Sequence, residues 1–296
     1  MRAVRTAFLG TSEFAVGVLR RLAASPHRPV LVITRPDRPR GRGRRLAAPP
    51  VAEAARELGI AVEQPPSVND PAIRERLAEL APEVICVSAY GALIKEPLLS
   101  DYLLLNVHPS LLPRWRGAAP IERAIMAGDD RTGVSIMRVT AGLDSGPVCA
   151  QASQPIVAED TYGTLAARLE RLGGELLAGT LDERLTCTEQ DGSLATYAEK
   201  ITPEDRRLDP TRAAAELVRV VRALTPHIGA HVPLDRSGWL GVLAARAVPG
   251  GPPPGSLSLD GPVPVFGCAD GGVELLTVKP PGRREMRGED WLRGLR

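Results

Sequence analysis

Continuous apolar segments alternate with segments of helical periodicity through the first half of the chain, and this alternation limits the possible folds more than any other feature. The apolar segments lack polar alternation, which is typical of strands buried on both faces. Repeated β-α-β order predicts an α/β fold, in which a mostly parallel sheet is covered by helices. The predicted strands are 3–9, 30–34, 61–63, 84–88, 103–107, 134–139 and 148–153.

Helical segments lie between these strands. Ser12 stands where it can cap the first helix, in which Phe14, Val18 and Leu22 have helical spacing. Ligands of such sheets bind outside the carboxyl ends of the strands. The residues that directly follow each strand are therefore the first candidates for function. Further helices are predicted at 51–58, 71–80 and 162–177.

The pattern changes after residue 186. A polar segment is followed by one amphipathic helix at 213–223 and then by short apolar runs separated by Gly and Pro. Such runs are typical of a small β-barrel. A length of 296 residues has room for about two domains. We predict a catalytic domain over 1–186, a linker over 187–207 and a C-terminal domain over 208–296.

The net charge of the whole chain does not indicate a nucleic-acid partner, but the charge differs between parts of the chain. The formal charge is +2, but residues 206–296 contain 13 basic and 9 acidic residues, whereas the remainder contains 24 basic and 26 acidic residues.

No apolar run reaches the roughly 18 residues of a membrane span, and the first residues do not resemble a signal peptide. We expect a monomeric protein of the cytoplasm, with no membrane association.

The four cysteines offer no metal site or disulfide framework. None are close neighbours and no C-x-x-C pair occurs, so we expect free thiols in a reducing compartment and no bound metal. The cysteines are Cys86, Cys149, Cys187 and Cys268.

Polar residues at the end of the 103–107 strand are the first chemical candidates. Alternation places Asn106 and His108 on one face of that strand, with Ser110 close behind. Asp144 lies between two later strands and has glycines nearby. A carboxylate beside an imidazole can orient it and take up a proton. Each residue alone also fits an ordinary turn or a satisfied polar group.

A dense group of arginines follows the second strand, at its carboxyl end. Two glycines and two prolines in this segment disfavour a helix. The segment contains six arginines and one acidic residue, Asp37. An exposed arginine loop can bind phosphates through charge-assisted hydrogen bonds. Chance clustering is the alternative, because 34 of the 37 basic residues of the chain are arginine. The six are Arg35, Arg38, Arg40, Arg42, Arg44 and Arg45.

Nucleotide-dependent redox chemistry and a zinc site are both disfavoured. The segment after the first strand, starting at Gly10, does not form the G-x-G-x-x-G pattern of dinucleotide-binding proteins. His227 and His231 are four residues apart, a spacing that on a helix would allow both to bind one zinc ion. Pro226 and Gly229 disfavour a helix there, so we expect no zinc site.

Several longer motifs are distributed along the chain. They are PDRPRGRGRRL at 36–46, NVHPSLLPRWRGAAPI at 106–121, AGLDSG at 141–146, TYAEKI at 196–201 and KPPGRREM at 279–286. With these motifs in this order, the sequence resembles the methionyl-tRNA formyltransferase family over nearly its full length. The stretch at 106–121 is similar to the family's signature, and the stretch at 36–46 resembles its arginine-rich loop.

The resemblance implies a Rossmann-like formyltransferase domain, a linker and an OB-like barrel. It also implies 10-formyltetrahydrofolate as the co-substrate and initiator methionyl-tRNA as the acceptor. By motif, Asn106, His108 and Asp144 take the catalytic positions. The implied folate contacts are Ser110, Leu111, Leu112 and Pro113, and the implied tRNA contacts are Arg38, Arg40, Arg42, Arg44 and Arg45.

Two departures and two alternatives remain. Pro109 stands where many family members have glycine, and the segment 225–232 lacks the tryptophan that the family often has there. One alternative is a formyltransferase for a small amine, such as glycinamide ribonucleotide or an amino sugar nucleotide. The other, from a different class, is a tRNA-binding protein without catalysis.

Overall fold

The computed structural model describes residues 2–40, 45–234 and 238–295, which form two compact units. Each unit is made of three separate stretches of the chain. The domains predicted from the sequence are each continuous. The first unit comprises Met1–Gly117, Thr132–Pro155 and Ala166–Tyr197, and the second comprises Ala118–Arg131, Ile156–Leu165 and Ala198–Arg296.

The first unit is built on a large sheet whose order is β10-β9-β7-β6-β1-β2-β5. Its inner pairs are parallel, and β9 runs antiparallel to β7. The predicted mostly parallel sheet is therefore confirmed. The strands are β1 (Thr6–Gly10), β2 (Pro29–Ile33), β3 (Arg38–Arg40), β4 (Arg45–Ala47), β5 (Ala61–Glu63), β6 (Val84–Ser88), β7 (Leu103–His108), β8 (Arg116–Gly117), β9 (Arg131–Arg138), β10 (Val148–Pro155) and β11 (Tyr197–Ala198).

Every residue of β1 and β6 is buried, which explains why their sequences are apolar without alternation. One side of this core contains Ala7, Leu9, Leu31, Ile33 and Ile85. The sheet therefore has the two covered faces that the sequence pattern predicts.

The predicted helices correspond to α1, α2, α3, α6 and α7, of which α6 continues five residues beyond its predicted end at 177. The sequence did not predict α4, α5 or α8. Proline in the first turn begins α2, α3 and α5, where its missing N–H leaves no hydrogen bond unmade. Ser12 is the N-cap of α1, but its side chain makes no capping hydrogen bond. The helices are α1 (Glu13–Ala23), α2 (Pro50–Glu57), α3 (Pro71–Leu80), α4 (Leu98–Asp101), α5 (Pro120–Ala127), α6 (Tyr162–Asp182), α7 (Ala214–Leu224) and α8 (Gly288–Arg293).

Gly173 allows the long helix α6 to approach the sheet closely. A Cβ atom at this position would lie 2.7 Å from Cγ1 of Val107 in β7 and 3.5 Å from Cγ1 of Val134 in β9. The first distance is shorter than any ordinary carbon contact. The absence of a side chain thus lets α6 support β7, the strand that carries two of the predicted catalytic residues.

The second unit combines α7 with a curled antiparallel sheet of order β12-β13-β16-β15-β14, in which β17 also pairs with β16. The pairing of β13 with β16 is irregular on both sides of Ala244, and such bulges bend a strand. The resulting half-barrel confirms the predicted OB-like architecture. Its strands are β12 (Ala230–Leu234), β13 (Gly238–Pro249), β14 (Leu257–Ser258), β15 (Val265–Cys268), β16 (Gly271–Lys279) and β17 (Met286–Arg287).

The core of this unit lies between α7 and the curled sheet. Leu217 and Val221 of α7 belong to one buried cluster with Leu240, Phe266 and Leu275 of the strands. Within the ranges described above, no helix has both the length and the apolar composition needed to cross a membrane.

Candidate active site

Asn106 and His108 lie at the carboxyl end of β7, inside the large sheet. Two residues apart in an extended strand, their side chains project from the same face. His108 is 4% exposed, whereas Asn106 is half-buried. β7 lies between the parallel strand β6 and the antiparallel strand β9. The pair therefore lies at the edge where sheets of this kind bind ligands.

Both ring nitrogens of His108 face oxygen atoms. Nε2 lies 2.8 Å from the carbonyl oxygen of Trp115, and Nδ1 lies 3.7 Å from Oδ2 of Asp144. A neutral imidazole carries one N–H and a protonated imidazole carries two. Because the contact with Trp115 uses an N–H at Nε2, Nδ1 is the ring nitrogen that faces the carboxylate.

Asp144 is held in an unusual backbone conformation between β9 and β10. Its φ is 44°, in the left-handed region that aspartate adopts more readily than most residues. Its Oδ2 accepts a 2.8 Å hydrogen bond from the N–H of Gly117. A conformation of this kind costs about 1–3 kcal/mol and persists where surrounding contacts hold it, often at functional sites.

The Asn106 amide is available to a bound molecule. In the part of the chain that the structure describes, its side chain makes no hydrogen bond. An amide N–H at the mouth of such a site can donate to an oxygen that becomes negative during a reaction. Among those same residues there is no group of three or more His, Cys, Asp or Glu side chains that could hold a metal ion.

The turn that follows β7 carries the four predicted folate contacts. Ser110 is fully buried, and its hydroxyl donates a 2.6 Å hydrogen bond to the carbonyl oxygen of Arg114. Leu112 is also buried, while Leu111 and Pro113 are half-buried. Ser110 and Leu112 therefore hold the shape of the turn, and the accessible apolar surface belongs to Leu111 and Pro113.

The arginine-rich segment forms a hairpin in which β3 pairs with β4, with Arg40 opposite Arg45. Arg38 is exposed. The predicted contacts Arg42 and Arg44 lie outside the described residues, and for Arg40 and Arg45 the description covers the backbone alone.

A cavity of about 350 Å³ opens beside this hairpin. It lies at the carboxyl ends of β1, β2 and β6, and sequence reasoning did not identify it as a site. Within the described chain, the hydroxyl of Tyr90 is buried without a hydrogen-bond partner. Burial raises the pKa of Tyr90, so this hydroxyl remains a donor. The cavity is lined by residues including Thr11, Ser12, Arg35, Arg38, Ala89 and Tyr90.

Gln190 is a second residue that sequence reasoning missed. Its Nε2 donates to the carbonyl oxygens of Asp144 and Gly146, at 2.8 Å and 2.7 Å. Its Oε1 accepts from Nε and Nη2 of Arg116, at 3.0 Å and 2.8 Å. A glutamine in a polar segment resembles any linker residue, so only the fold reveals these contacts.

The expectation of four free thiols is corrected, because Cys149 and Cys187 form a disulfide. The two cysteines are 38 positions apart, and the backbone pairing of Val148 with Thr188 brings them together. Sequence spacing cannot show such a pairing. Cys86 remains a buried free thiol, whose pKa burial raises to about 12.

The second unit has a larger cavity, of about 690 Å³. Trp239 lies at its wall, is 48% exposed and has the guanidinium carbon of Arg207 5.7 Å from its ring centre. Burial, with the charges of Arg206 and Arg207, lowers the pKa of the neighbouring His231. Lys279 also lines the cavity. An exposed aromatic ring among cations is the combination that binds stacked bases and phosphates.

Two family models match the chain. The model for formyl transferases matches residues 4–181, and the model for the formyl transferase C-terminal domain matches residues 200–296. Together they cover both units of the structure.

Named relatives match over nearly the whole chain. The methionyl-tRNA formyltransferase of Methylococcus capsulatus is 44% identical over 98% of this chain and 96% of its own length. That of Acidithiobacillus ferrooxidans is 45% identical over 99% of this chain and 96% of its own length.

Solved structures show the same fold. HypX from Aquifex aeolicus, in complex with tetrahydrofolic acid, matches 98% of this chain with a TM-score of 0.66 and 19% identity. This chain spans about half of that protein, 47% of its length. A phosphoribosylglycinamide formyltransferase from Bacillus halodurans matches 60% of this chain and 93% of its own, with a TM-score of 0.51 and 28% identity. From the relatives' identity and coverage, the chain belongs to the methionyl-tRNA formyltransferase family of formyl transferases.

Proposed function

We propose that this protein transfers the formyl group of 10-formyltetrahydrofolate to the α-amino group of methionyl-tRNA(fMet), which yields N-formylmethionyl-tRNA for translation initiation. The family supports the reaction. The observation that carries the proposed chemistry is the 3.7 Å approach of Asp144 Oδ2 to His108 Nδ1, at the carboxyl edge of β7.

The amine of the acceptor attacks the formyl carbon directly in this proposal. The carbonyl double bond opens, and a tetrahedral intermediate with a negative oxygen forms. The Asn106 amide donates a hydrogen bond to that oxygen. His108 donates a second one through Nδ1 when the ring is protonated, because its Nε2 N–H is engaged with the carbonyl oxygen of Trp115. Donors already in place at a developing oxyanion need no reorganisation during the reaction.

Proton transfer completes the reaction. Asp144 takes up the proton that the amine loses on attack and returns it towards N10 of the departing folate, directly or through water. The C–N10 bond then breaks and tetrahydrofolate leaves. General acid–base assistance of this kind contributes about 10²–10⁴-fold to a rate. The Gly117 N–H holds the carboxylate in place for this transfer.

The folate is proposed to contact the turn after β7. Leu111 and Pro113 provide the accessible apolar surface, and the buried Ser110 and Leu112 keep the turn in shape. The acceptor end of the tRNA is proposed to enter from the arginine side of the site. There the cavity lined by Arg35 and Arg38 offers two cations.

The remaining tRNA surface is proposed to meet two basic regions. The hairpin of β3 and β4 contacts phosphates through its arginines, which position the tRNA without reading its sequence. The cavity around Trp239 and Lys279 adds a stacking surface in the second unit. Such contacts depend on salt, since binding to phosphates releases counterions.

A formyl-transfer assay tests the reaction. Purified protein, 10-formyltetrahydrofolate and methionylated initiator tRNA should give formylmethionyl-tRNA and free tetrahydrofolate, and elongator tRNA should react poorly. Faster reaction with glycinamide ribonucleotide or an amino sugar nucleotide would favour a small-amine enzyme. Tight tRNA binding without release of tetrahydrofolate would favour a binding protein without catalysis.

We extend the proposal to a monomer that acts in the cytoplasm, where aminoacylated tRNA and translation occur. Light scattering coupled to gel filtration measures the first point, and fractionation of the native host measures the second.

A further inference from the structure

Gln190 connects a buried cation to the loop that carries Asp144. The segment before it is fixed to the start of β10, because Thr188 and Val148 exchange two 2.8 Å backbone hydrogen bonds. The disulfide of Cys187 with Cys149 ties the same segment to β10. From this fixed segment the half-buried Gln190 side chain reaches both the loop and Arg116.

The orientation of the Gln190 amide is determined by its neighbours. Oε1 faces the guanidinium of Arg116, which is 7% exposed, and a guanidinium has donors only. Nε2 faces two carbonyl oxygens, which are acceptors only. The flipped amide would set donor against donors and oxygen against oxygens, so the two sides of the contact fix one orientation.

The two carbonyl groups that Gln190 holds belong to Asp144 itself and to Gly146. The Asp144 side chain is held separately by the Gly117 N–H. Gly117 directly follows Arg116 in β8. The loop is therefore fastened through its backbone by Gln190 and through its carboxylate by β8. Asp144 needs such fastening because its φ of 44° is unfavourable for a residue with a side chain.

We propose that Gln190 is a positioning residue for formyl transfer. Its amide, oriented by Arg116, holds the 144–146 backbone so that the Asp144 carboxylate stays beside Nδ1 of His108. This inference rests on the catalytic role proposed for Asp144. Gln190 touches no reacting atom and acts through the loop alone.

Two substitutions separate this role from simple support of Arg116. Gln190→Glu keeps an oxygen for Arg116 but loses the N–H groups that bind the loop, and it sets a negative oxygen against two carbonyls. Gln190→Ala loses both contacts. If Gln190 positions the loop, both variants should lower kcat by about 10- to 100-fold, the loss expected from a small misplacement of a catalytic group. The KM values for folate and tRNA should stay near those of the unchanged protein.

A second measurement follows the loop itself. The Gly117 amide proton is held by Asp144 Oδ2, so its hydrogen exchange reports where the carboxylate lies. Exchange at Gly117 should accelerate in Gln190→Glu, whereas exchange in the buried strand β1 should not change. Glu189→Gln is the matched control, since the exposed Glu189 is adjacent in sequence and should leave both readouts unchanged.

The outcomes distinguish this inference from the proposed function. Wild-type kcat in Gln190→Glu would overturn the positioning role, whether or not Gly117 exchange changes. A loss of kcat in Gln190→Ala but not in Gln190→Glu would also overturn the positioning role, because the effect would then come from the contact with Arg116. Failure of the unchanged protein to transfer formyl groups would instead refute the proposed function. Full activity of Asp144→Asn would refute the role of Asp144 on which the inference depends.

Discussion

At the scale of single residues, the proposed chemistry depends on one carboxylate, one imidazole and one amide in a particular arrangement. The carbonyl oxygen of Trp115 lies against Nε2 of His108, and Oδ2 of Asp144 lies 3.7 Å from Nδ1. Asp144 itself has a left-handed backbone conformation. Asn106, on the same strand as His108, is proposed to donate its amide N–H to an oxygen of the substrate.

Replacement of Asp144 by asparagine should nearly abolish turnover. The amide has similar size, but it cannot accept the proton from the amine, so kcat should fall by about 10²–10⁴-fold. The affinity for tRNA, measured by equilibrium binding, should stay the same. An equal loss of binding and turnover would show that Asp144 has a structural role instead.

Replacement of Asn106 should remove the donor to the tetrahedral oxygen. Asn106→Ala should lower kcat by about 10²–10³-fold, the usual effect of losing one such donor. Asn106→Asp keeps the shape but replaces the donor with a negative charge, so it should be at least as slow. Steady-state kinetics with both substrates measures the effect, and an active Asn106→Asp variant would contradict the assignment.

At the scale of secondary-structure elements, the site depends on how closely α6 and β8 approach their neighbours. Gly173 permits the contact of α6 with β7. In β8, Gly117 donates to the Asp144 carboxylate and Arg116 donates to Gln190, which holds the Asp144 loop. In the second unit, the bent strand β13 carries the exposed Trp239 near its first residue.

Two glycines of α6 offer a matched test of the close approach. Gly173→Ala would place its Cβ 2.7 Å from Val107, and this overpacking should lower the free energy of unfolding by about 1–3 kcal/mol. Gly179 has no atom within 4 Å of the corresponding position. Gly179→Ala should therefore raise the free energy of unfolding by about 0.5–1 kcal/mol through lower chain entropy.

Urea denaturation of the two variants measures the difference. Equal effects of Gly173→Ala and Gly179→Ala, in either direction, would refute the close packing of α6 on β7.

Replacement of Trp239 should weaken tRNA binding in the second unit. Trp239→Ala should reduce the binding free energy by about 1–3 kcal/mol, the contribution of one stacked base. Trp239→Phe retains an aromatic face and should keep most of the affinity. Fluorescence anisotropy with labelled initiator tRNA measures both, and an unchanged dissociation constant for Trp239→Ala would exclude stacking there.

At the scale of the whole molecule, basic groups are distributed over both units. The hairpin of β3 and β4 belongs to the first unit, and the cavity lined by Arg207 and Lys279 belongs to the second. The charge excess of residues 206–296, with 13 basic and 9 acidic residues, suits an extended polyanion better than a small amine.

Replacement of Arg38 should weaken tRNA use and leave folate use unchanged. Arg38→Ala should raise the KM for tRNA and reduce the slope of log affinity against log salt by about one charge. Arg74, exposed on α3, provides the control variant Arg74→Ala, which should behave as the unchanged protein. A defect in Arg38→Ala confined to folate would contradict the phosphate-binding role of the hairpin.

Local sequence predicted most secondary structure correctly because strong periodicity reports burial directly. The fully buried β1 and β6 appear as unbroken apolar runs, and Pro71 marks the start of α3. The side-chain cap expected at Ser12 is absent. Whether a hydroxyl turns towards the backbone depends on surroundings that spacing does not show.

One part of the candidate site could be predicted from neighbouring residues, and the other part depends on contacts between residues that are distant in sequence. The alternation within β7 placed Asn106 and His108 on one face from the sequence alone, because strand geometry fixes it. The Arg116–Gln190 contact joins positions 74 residues apart, and the Cys149–Cys187 pair joins positions 38 apart. Neither pairing has a local signature.

By itself, the sequence determined the α/β order, the strand that carries Asn106 and His108, and the arginine-rich segment, because each depends on neighbouring residues. Only the tertiary structure decided that Asp144 meets His108, that Gln190 holds the loop and that two cysteines pair. These are contacts between distant segments, and their geometry is set by the packing of the whole unit.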